Sequence, residues 1–146
     1  MKSLATLLIA VSMLPLLSAC EKARLDEQVK ELCAKDGGIK VYETVKLPAD
    51  RFDQWGKVQI PSKEKAKADD AYYIEWEISY LKKGNPSLWR SHHRVVRKSD
   101  SKLLGESIMY ARGGGDPPGP WHGSSFKCPE PTQGPSLESV VFSKGE

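Results

Sequence analysis

The sequence has 146 residues, with 22 basic and 19 acidic side chains, three cysteines and 39% hydrophobic residues. A chain of this length forms one domain around a single hydrophobic core, and a charged fraction of 28% is typical of a folded protein. The net charge of +3 is too small for the basic surface that DNA or RNA binding requires, so the composition excludes a nucleic-acid partner.

Residues 1–19 are typical of a removable signal peptide. Lys2 supplies a positive charge, and a mostly apolar run from Leu4 to Leu17 follows it. This run is shorter than the about 20 residues that a transmembrane helix needs, and it has the length of a signal-peptide core. We therefore expect residues 20–146 to form the single mature domain.

The apolar run ends in Leu17-Ser18-Ala19-Cys20, which matches the lipobox of bacterial lipoprotein precursors. The resemblance implies that the Cys20 thiol receives a diacylglyceryl group, that cleavage falls before it, and that the new amine is acylated. Several acyl chains, at about 0.8 kcal/mol per buried CH₂, would hold the protein on a membrane. Glu21 stands where an Asp often retains lipoproteins in the inner membrane, so we predict an outer-membrane lipoprotein of a Gram-negative cell envelope, facing the periplasm. The alternative is an ordinary secreted protein cleaved before a cysteine.

Two further cysteines, Cys33 and Cys128, are predicted to form a disulfide. An exported chain folds in an oxidising compartment, where an even pair of cysteines is usually bonded. A redox role is less favoured because the pair has no C-x-x-C spacing, and zinc binding is less favoured because finger-like ligand spacing is missing from the sequence.

The helical pattern comes first along the mature chain. Leu25, Val29, Leu32 and Cys33 fall on one stripe of an amphipathic helix between Glu21 and Lys35. Asp36-Gly37-Gly38 ends it, because glycine readily adopts the left-handed conformation that closes a helix.

The rest of the chain is mostly strand-like, and short turns join its three longest strands. We predict an α+β fold: an N-terminal helix packed on a twisted antiparallel sheet of about five strands, stapled by one disulfide. The predicted strands are Ile39 to Leu47, a short edge strand from Val58 to Pro61, Tyr72 to Leu81, Leu88 to Lys98, Leu103 to Arg112, and Leu137 to Ser143.

A long loop between residues 112 and 128 is the candidate for function, because binding residues often lie on loops that a rigid scaffold holds. Its candidate partner-binding residues are Arg112, Asp116, Trp121 and His122. The basic strand residues Arg90, Arg94 and Arg97 would extend this contact surface. For Trp121, packing over the core beside Cys128 is the alternative.

Asp116, His122 and Ser124 or Ser125 supply the residue types of a hydrolytic triad. The sequence lacks a G-x-S-x-G elbow, and a triad is defined by geometry rather than by residue types. We therefore assign no catalytic residue. A metal or cofactor is not expected, because His92 and His93 are neighbours on a strand and point to opposite faces.

Several segments together resemble a family of small, functionally uncharacterised proteobacterial lipoproteins. These segments are Leu32 to Glu43, Arg97 to Asp100, Leu104 to Gly105, Tyr110 to Asp116, and Ser125 to Pro129. The resemblance covers most of the mature chain and supports the lipoprotein and disulfide interpretations. It implies no activity, ligand or partner.

These patterns predict a membrane-anchored, non-enzymatic envelope protein that binds a protein or a glycan. One alternative is a small envelope hydrolase that uses His122 and Asp116. Another is an immunity or inhibitor lipoprotein that neutralises an exported toxin or a lysozyme.

Overall fold

The computed structural model describes residues 20–120, 122–130 and 134–145. The predicted signal peptide and Trp121 lie outside the described residues. The elements are α1 (20–36), β1 (Gly38–Val41), β2 (Val45–Leu47), β3 (Tyr72–Lys82), β4 (Ser87–Arg97), β5 (Lys102–Gly113), β6 (Ser125–Cys128), α2 (Leu137–Val141) and β7 (Phe142–Lys144). A short 3-10 helix spans Ala49–Arg51.

Helix α1 packs on the sheet through the predicted apolar stripe. Leu25 and Val29 are buried, and Leu32 and Cys33 pack against the same cluster. The helix ends where the Gly37 N–H donates to the Cys33 carbonyl, and a Cβ atom on Gly37 would lie 2.7 Å from that oxygen. Only glycine therefore fits this close turn without a shift of the backbone.

The main sheet has five strands in the order β1-β5-β4-β3, with β6 also paired to β5. All of its strand pairs are antiparallel, and β3, β4 and β5 form the predicted meander. The Cys33–Cys128 disulfide joins the last turn of α1 to β6. The predicted α+β fold and the predicted disulfide are thus both confirmed.

The two faces of the main sheet are covered differently. One face is covered by α1, whose Leu25 and Val29 pack on Leu88, Ile108 and Tyr110. On the opposite face, α2 and the small β2–β7 sheet bury a second cluster at one end: Leu47, Val95, Leu104, Leu137, Val141 and Phe142. The other end of that face remains exposed.

We call this exposed region the open face. In a strand, alternate side chains share a face, and directly paired residues of neighbouring strands do so as well. The pairs Trp76–His93, Ile78–Ser91 and Tyr80–Trp89 therefore all lie on the side away from α1. The apolar side chains that define the open face are Ile39, Trp76, Ile78, Tyr80, Trp89 and Met109.

Three of the predicted strands differ from the observed ones. The single strand expected from Ile39 to Leu47 is two strands, β1 and β2, which join different sheets. The strand expected from Leu137 to Ser143 is wrong over its first five residues. These form α2, because the Ser136 side chain caps the helix and Leu137 and Val141 are buried one turn apart. The expected edge strand at residues 58–61 contributes only an isolated bridge, between Phe52 and Val58.

Candidate functional site

Arg112, the first candidate of the long loop, is a buried side chain with its hydrogen-bonding groups occupied. It is 2% exposed, and its guanidinium lies 2.8 Å from a carboxylate oxygen of Asp26 in α1. It also donates to the carbonyl oxygens of Gly114 and Ser124, at 2.8 and 2.9 Å. Arg112 therefore fastens both ends of the loop to the helix, and it presents almost no surface to a partner.

Asp116 has a similar fastening role. Its carboxylate accepts from the Lys22 ammonium at 2.6 Å and from the backbone N–H and the hydroxyl of Ser124. These donors, with Lys22 the largest contributor, hold the pKa of Asp116 well below its usual range. Asp116 is therefore a partly exposed anion that ties its loop to the first turns of α1.

The residue types of the suggested triad are not connected in the order that catalysis needs. In a triad the serine hydroxyl donates to histidine, and the histidine in turn donates to the aspartate. Here the Ser124 hydroxyl donates directly to Asp116 at 2.8 Å and accepts from Arg112 at 3.0 Å. His122 is exposed, and within the described residues it makes no hydrogen bond. Among the described residues, no histidine is placed to act as a base for Ser124.

The strand arginines do not form an unpaired basic patch. Arg94 is paired with Glu75 at 3.2 Å and with Glu77 at 3.3 Å, across the β3–β4 pair. Arg97 pairs with Glu43 at 2.6 Å. This contact raises the pKa of Arg97 above its ordinary value. Arg90 lies 3.9 Å from Asp36. Each positive charge is thus balanced by a nearby carboxylate, which weakens the attraction for an anionic partner.

His92 and His93 point to opposite faces of the sheet, as predicted, and each contacts a glutamate. His92 lies 2.6 Å from Glu106, which also accepts from the Tyr42 hydroxyl. The hydrogen bond from Tyr42, and then that from His92, hold the pKa of Glu106 below its ordinary value. His93 lies 3.4 Å from Glu138 of α2. Within the described residues, no group of three acidic, histidine or cysteine side chains is arranged to hold a metal ion.

The open face carries exposed apolar side chains beside a cleft. Trp76, Ile78 and Tyr80 are 69%, 54% and 55% exposed, and they follow one another along β3. Beside them lies a cleft of about 300 Å³, whose floor includes Met109 and Ser107 and whose wall includes Leu137.

The aromatic rings of the open face are held in place although they are exposed. The Trp76 indole N–H donates to the Ser91 hydroxyl at 2.7 Å, and its ring lies 5.6 Å from the ring of His93. The rings of Tyr80 and Trp89 are 6.2 Å apart. Rings fixed in this way lose little conformational freedom when they are covered, so the surface is pre-organised for contact.

Sequence reasoning missed the open face as a candidate site. The alternation of Ile74, Trp76, Ile78 and Tyr80 correctly predicts one apolar side of β3. It does not indicate how far along the strand that side is covered. The covering elements α2 and β7 extend as far as Ile74 and leave the residues beyond it exposed. The unusual density of aromatic side chains on one strand face is the one signal that the sequence offered.

Cys20 is exposed at the start of the described part of α1, and it is the one described cysteine outside the disulfide. Among the described helices, none is long and apolar enough to cross a bilayer. Comparison with protein-family models, with curated proteins and with solved structures gives no significant match to this chain. The functional argument therefore rests on the residues themselves.

Proposed function

We propose that this protein is an outer-membrane lipoprotein of a Gram-negative bacterium, anchored through acyl chains on Cys20 and facing the periplasm. In this proposal it is a binding protein rather than an enzyme, and its partner is an envelope protein that contacts the open face. The lipobox at residues 17–20 supports the anchor. The exposure of Cys20 agrees with the access that lipid attachment requires.

The observation that carries the binding proposal is the row of exposed apolar side chains on β3. Trp76, Ile78 and Tyr80 leave a continuous apolar stripe in water, although soluble proteins rarely keep such stripes without a use. Tryptophan and tyrosine are also the residues that contribute most to protein interfaces when they are covered. A partner that covers this stripe would remove the cost of its exposure.

A protein partner fits the open face better than a glycan does. Sugar recognition needs hydrogen-bonding groups for the many hydroxyls of the ligand, because a buried hydroxyl without a partner is costly. Two polar side chains on this face are already engaged, since Ser91 accepts from Trp76 and His93 lies beside Glu138. The remaining surface is mainly apolar and suits an apolar protein surface.

The test is in-cell crosslinking and capture of the full-length chain, with Trp76→Ala as the site variant. Trp55→Ala is the matched control, because Trp55 is 74% exposed and lies outside the open face. We expect Trp76→Ala to reduce the captured partner several-fold and Trp55→Ala to leave it unchanged. Equal capture by both variants and the wild type would refute the open face as the binding site.

The anchor is tested separately with Cys20→Ser. We expect metabolically incorporated palmitate to label the wild type and not the variant, and we expect the variant to leave the membrane fraction. Palmitate labelling that persists in Cys20→Ser would refute lipid attachment at this residue, whatever the result for partner capture.

A further inference from the structure

The outer edge of β3 has backbone groups that point away from the sheet. At Ile74 these groups are paired: its N–H donates to the Pro61 carbonyl at 2.9 Å, and its carbonyl accepts from the Lys63 N–H at 2.8 Å. Backbone direction alternates along a strand, so the N–H and C=O groups of Trp76, Ile78 and Tyr80 point outward in the same way. Among the described residues, no strand pairs with β3 there.

We propose that a second copy of this chain occupies this edge, with the two β3 strands antiparallel and a two-fold axis at Ile78. Ile78 would then lie opposite Ile78 of the second copy, and Trp76 opposite Tyr80 of the second copy. Three such hydrogen-bonded pairs would form about six backbone hydrogen bonds. The pairing ends at the bulge between Tyr80 and Lys82, and at Ile74, where the edge is already occupied.

The sequence around Ile78 is complementary to itself in the antiparallel direction. Read either way from Ile78, a polar residue comes first and an aromatic residue second: Ser79 and Tyr80 in one direction, Glu77 and Trp76 in the other. The two-fold pairing therefore places aromatic rings opposite each other on one face. On the other face it places Glu77 opposite Ser79, and these two groups already interact within one strand at 3.5 Å.

Registers with the axis two residues away lack this complementarity. An axis at Trp76 would place Glu75 opposite Glu77 of the second copy, and like charges directly opposite each other destabilise a sheet. It would also require the edge at Ile74, which residues 61–63 occupy. An axis at Tyr80 would run the pairing through the bulge. An axis at Ile78 avoids the like-charge pair, the occupied edge at Ile74 and the bulge after Tyr80.

The symmetry of this pairing has a consequence for the position of the helices. Antiparallel strands of one sheet are related by an axis perpendicular to the sheet, so both α1 helices lie on the same side of the joined sheet. Both Cys20 residues are then on that side, and both open faces lie on the other. The proposal does not depend on the anchor, because the edge belongs to the folded domain. An anchor in a shared membrane would raise the effective concentration of the two copies.

The pairing is tested with Ile78→Cys in the full-length chain under mild oxidation. Hydrogen-bonded antiparallel partners have Cα atoms about 5.5 Å apart, within the range that a disulfide bridges. Tyr80→Cys is the matched control, because Tyr80 has the same face and nearly the same exposure. Its symmetry mate would be displaced by four residues, about 13 Å along the strand, which is too far for a disulfide.

We expect Ile78→Cys to give several-fold more covalent dimer than Tyr80→Cys on a non-reducing gel. The wild type reports the background that Cys20 contributes. Equal dimer from the two variants, or none from Ile78→Cys, would overturn the proposal. A covalent product with a mass other than twice that of the chain would also overturn it, because another protein's strand would then occupy the edge.

A second variant, Ile78→Lys, tests the pairing without a covalent bond. Two ammonium groups would meet at the axis, so we expect sedimentation in detergent to show a monomer where the wild type shows a dimer. Circular dichroism should remain that of the wild type, because the Ile78 side chain is more than half exposed. A monomeric wild type would refute self-pairing and leave the partner-capture result with Trp76→Ala as separate evidence for the proposed function.

Discussion

The guanidinium of Arg112 is bound in bidentate fashion by the Asp26 carboxylate, with nitrogen–oxygen distances of 2.8 and 3.2 Å. The two residues lie 86 positions apart in the sequence and connect the end of β5 to α1. Arg112 is buried and Asp26 is partly exposed. A pair of this kind does not by itself add much stability, but the removal of one partner leaves the other charge without compensation.

We expect Arg112→Ala to lower the free energy of unfolding by about 2–4 kcal/mol, because Asp26 and the carbonyls of Gly114 and Ser124 would lose their donor. Urea unfolding followed by circular dichroism measures the change. Arg24→Ala, which removes an exposed arginine of the same helix, should leave the midpoint unchanged. Equal stability of Arg112→Ala and the wild type would contradict the structural role assigned to Arg112.

The disulfide provides a second prediction for stability. Cys33 and Cys128 are separated by 95 residues, so their bond restricts most of the unfolded chain. We expect the double variant Cys33→Ser, Cys128→Ser to lose about 2–5 kcal/mol of unfolding free energy. Reduction of the wild type should shift its urea midpoint to that of the double variant. Cys20→Ser serves as the control and should change neither midpoint.

The bound carboxylate of Asp116 makes stability depend on pH. Its folded-state pKa lies below the unfolded value of about 3.9, so the carboxylate favours the folded state above that value. This contribution is lost as the pH falls from the unfolded pKa toward the folded one. We expect Lys22→Gln to raise the pKa of Asp116 toward its usual range, as measured by NMR titration of the side-chain carboxyl carbon.

The variant Lys30→Gln is the control for that titration. Lys30 is a lysine of the same helix that pairs with Glu27 and does not contact Asp116. It should leave the pKa of Asp116 unchanged. An unchanged pKa of Asp116 in Lys22→Gln would show that Ser124 alone holds the carboxylate.

Gly105 provides a prediction about packing between β5 and α2. A Cβ atom there would lie 2.8 Å from a methyl carbon of Val141 and 3.1 Å from the Lys40 carbonyl oxygen. We expect Gly105→Ala to lower the free energy of unfolding by about 1–3 kcal/mol through overpacking. Gly123→Ala is the matched control, because its nearest neighbour would be 3.9 Å away. Thermal unfolding of both variants would separate the two cases, and similar midpoints would contradict the tight packing at Gly105.

The fold could be predicted from the sequence where periodicity was continuous. The spacing of Leu25 and Val29 identified α1, alternation identified β3, and the short turns between the longest strands identified the meander of β3, β4 and β5. Prediction failed where tertiary contacts decided the structure. Residues 137–141 have the composition of a strand, yet the Ser136 cap and the burial of Leu137 and Val141 make them helical. Strand β6 was missed because Ser125–Cys128 is short and, within the described residues, pairs with β5 alone.

The candidate site was less predictable than the fold. The residue types Arg112, Asp116 and Ser124 suggested chemistry or binding, but their partners Asp26 and Lys22 lie about 90 residues away and cannot be identified by spacing. Periodicity equally cannot reveal that the apolar side of β3 is left uncovered beyond Ile74. Both features depend on which distant segments come to rest on the sheet.

Helix α1 is attached to the rest of the domain along its whole described length: by Lys22 to Asp116, by Asp26 to Arg112, and by Cys33 to Cys128. Cys20 lies only two positions before the first of these attachments. If Cys20 carries the proposed anchor, no flexible linker separates the lipid from the folded domain. Its tilt and height above the bilayer are then fixed by the helix, and a partner must come to the membrane surface to be bound.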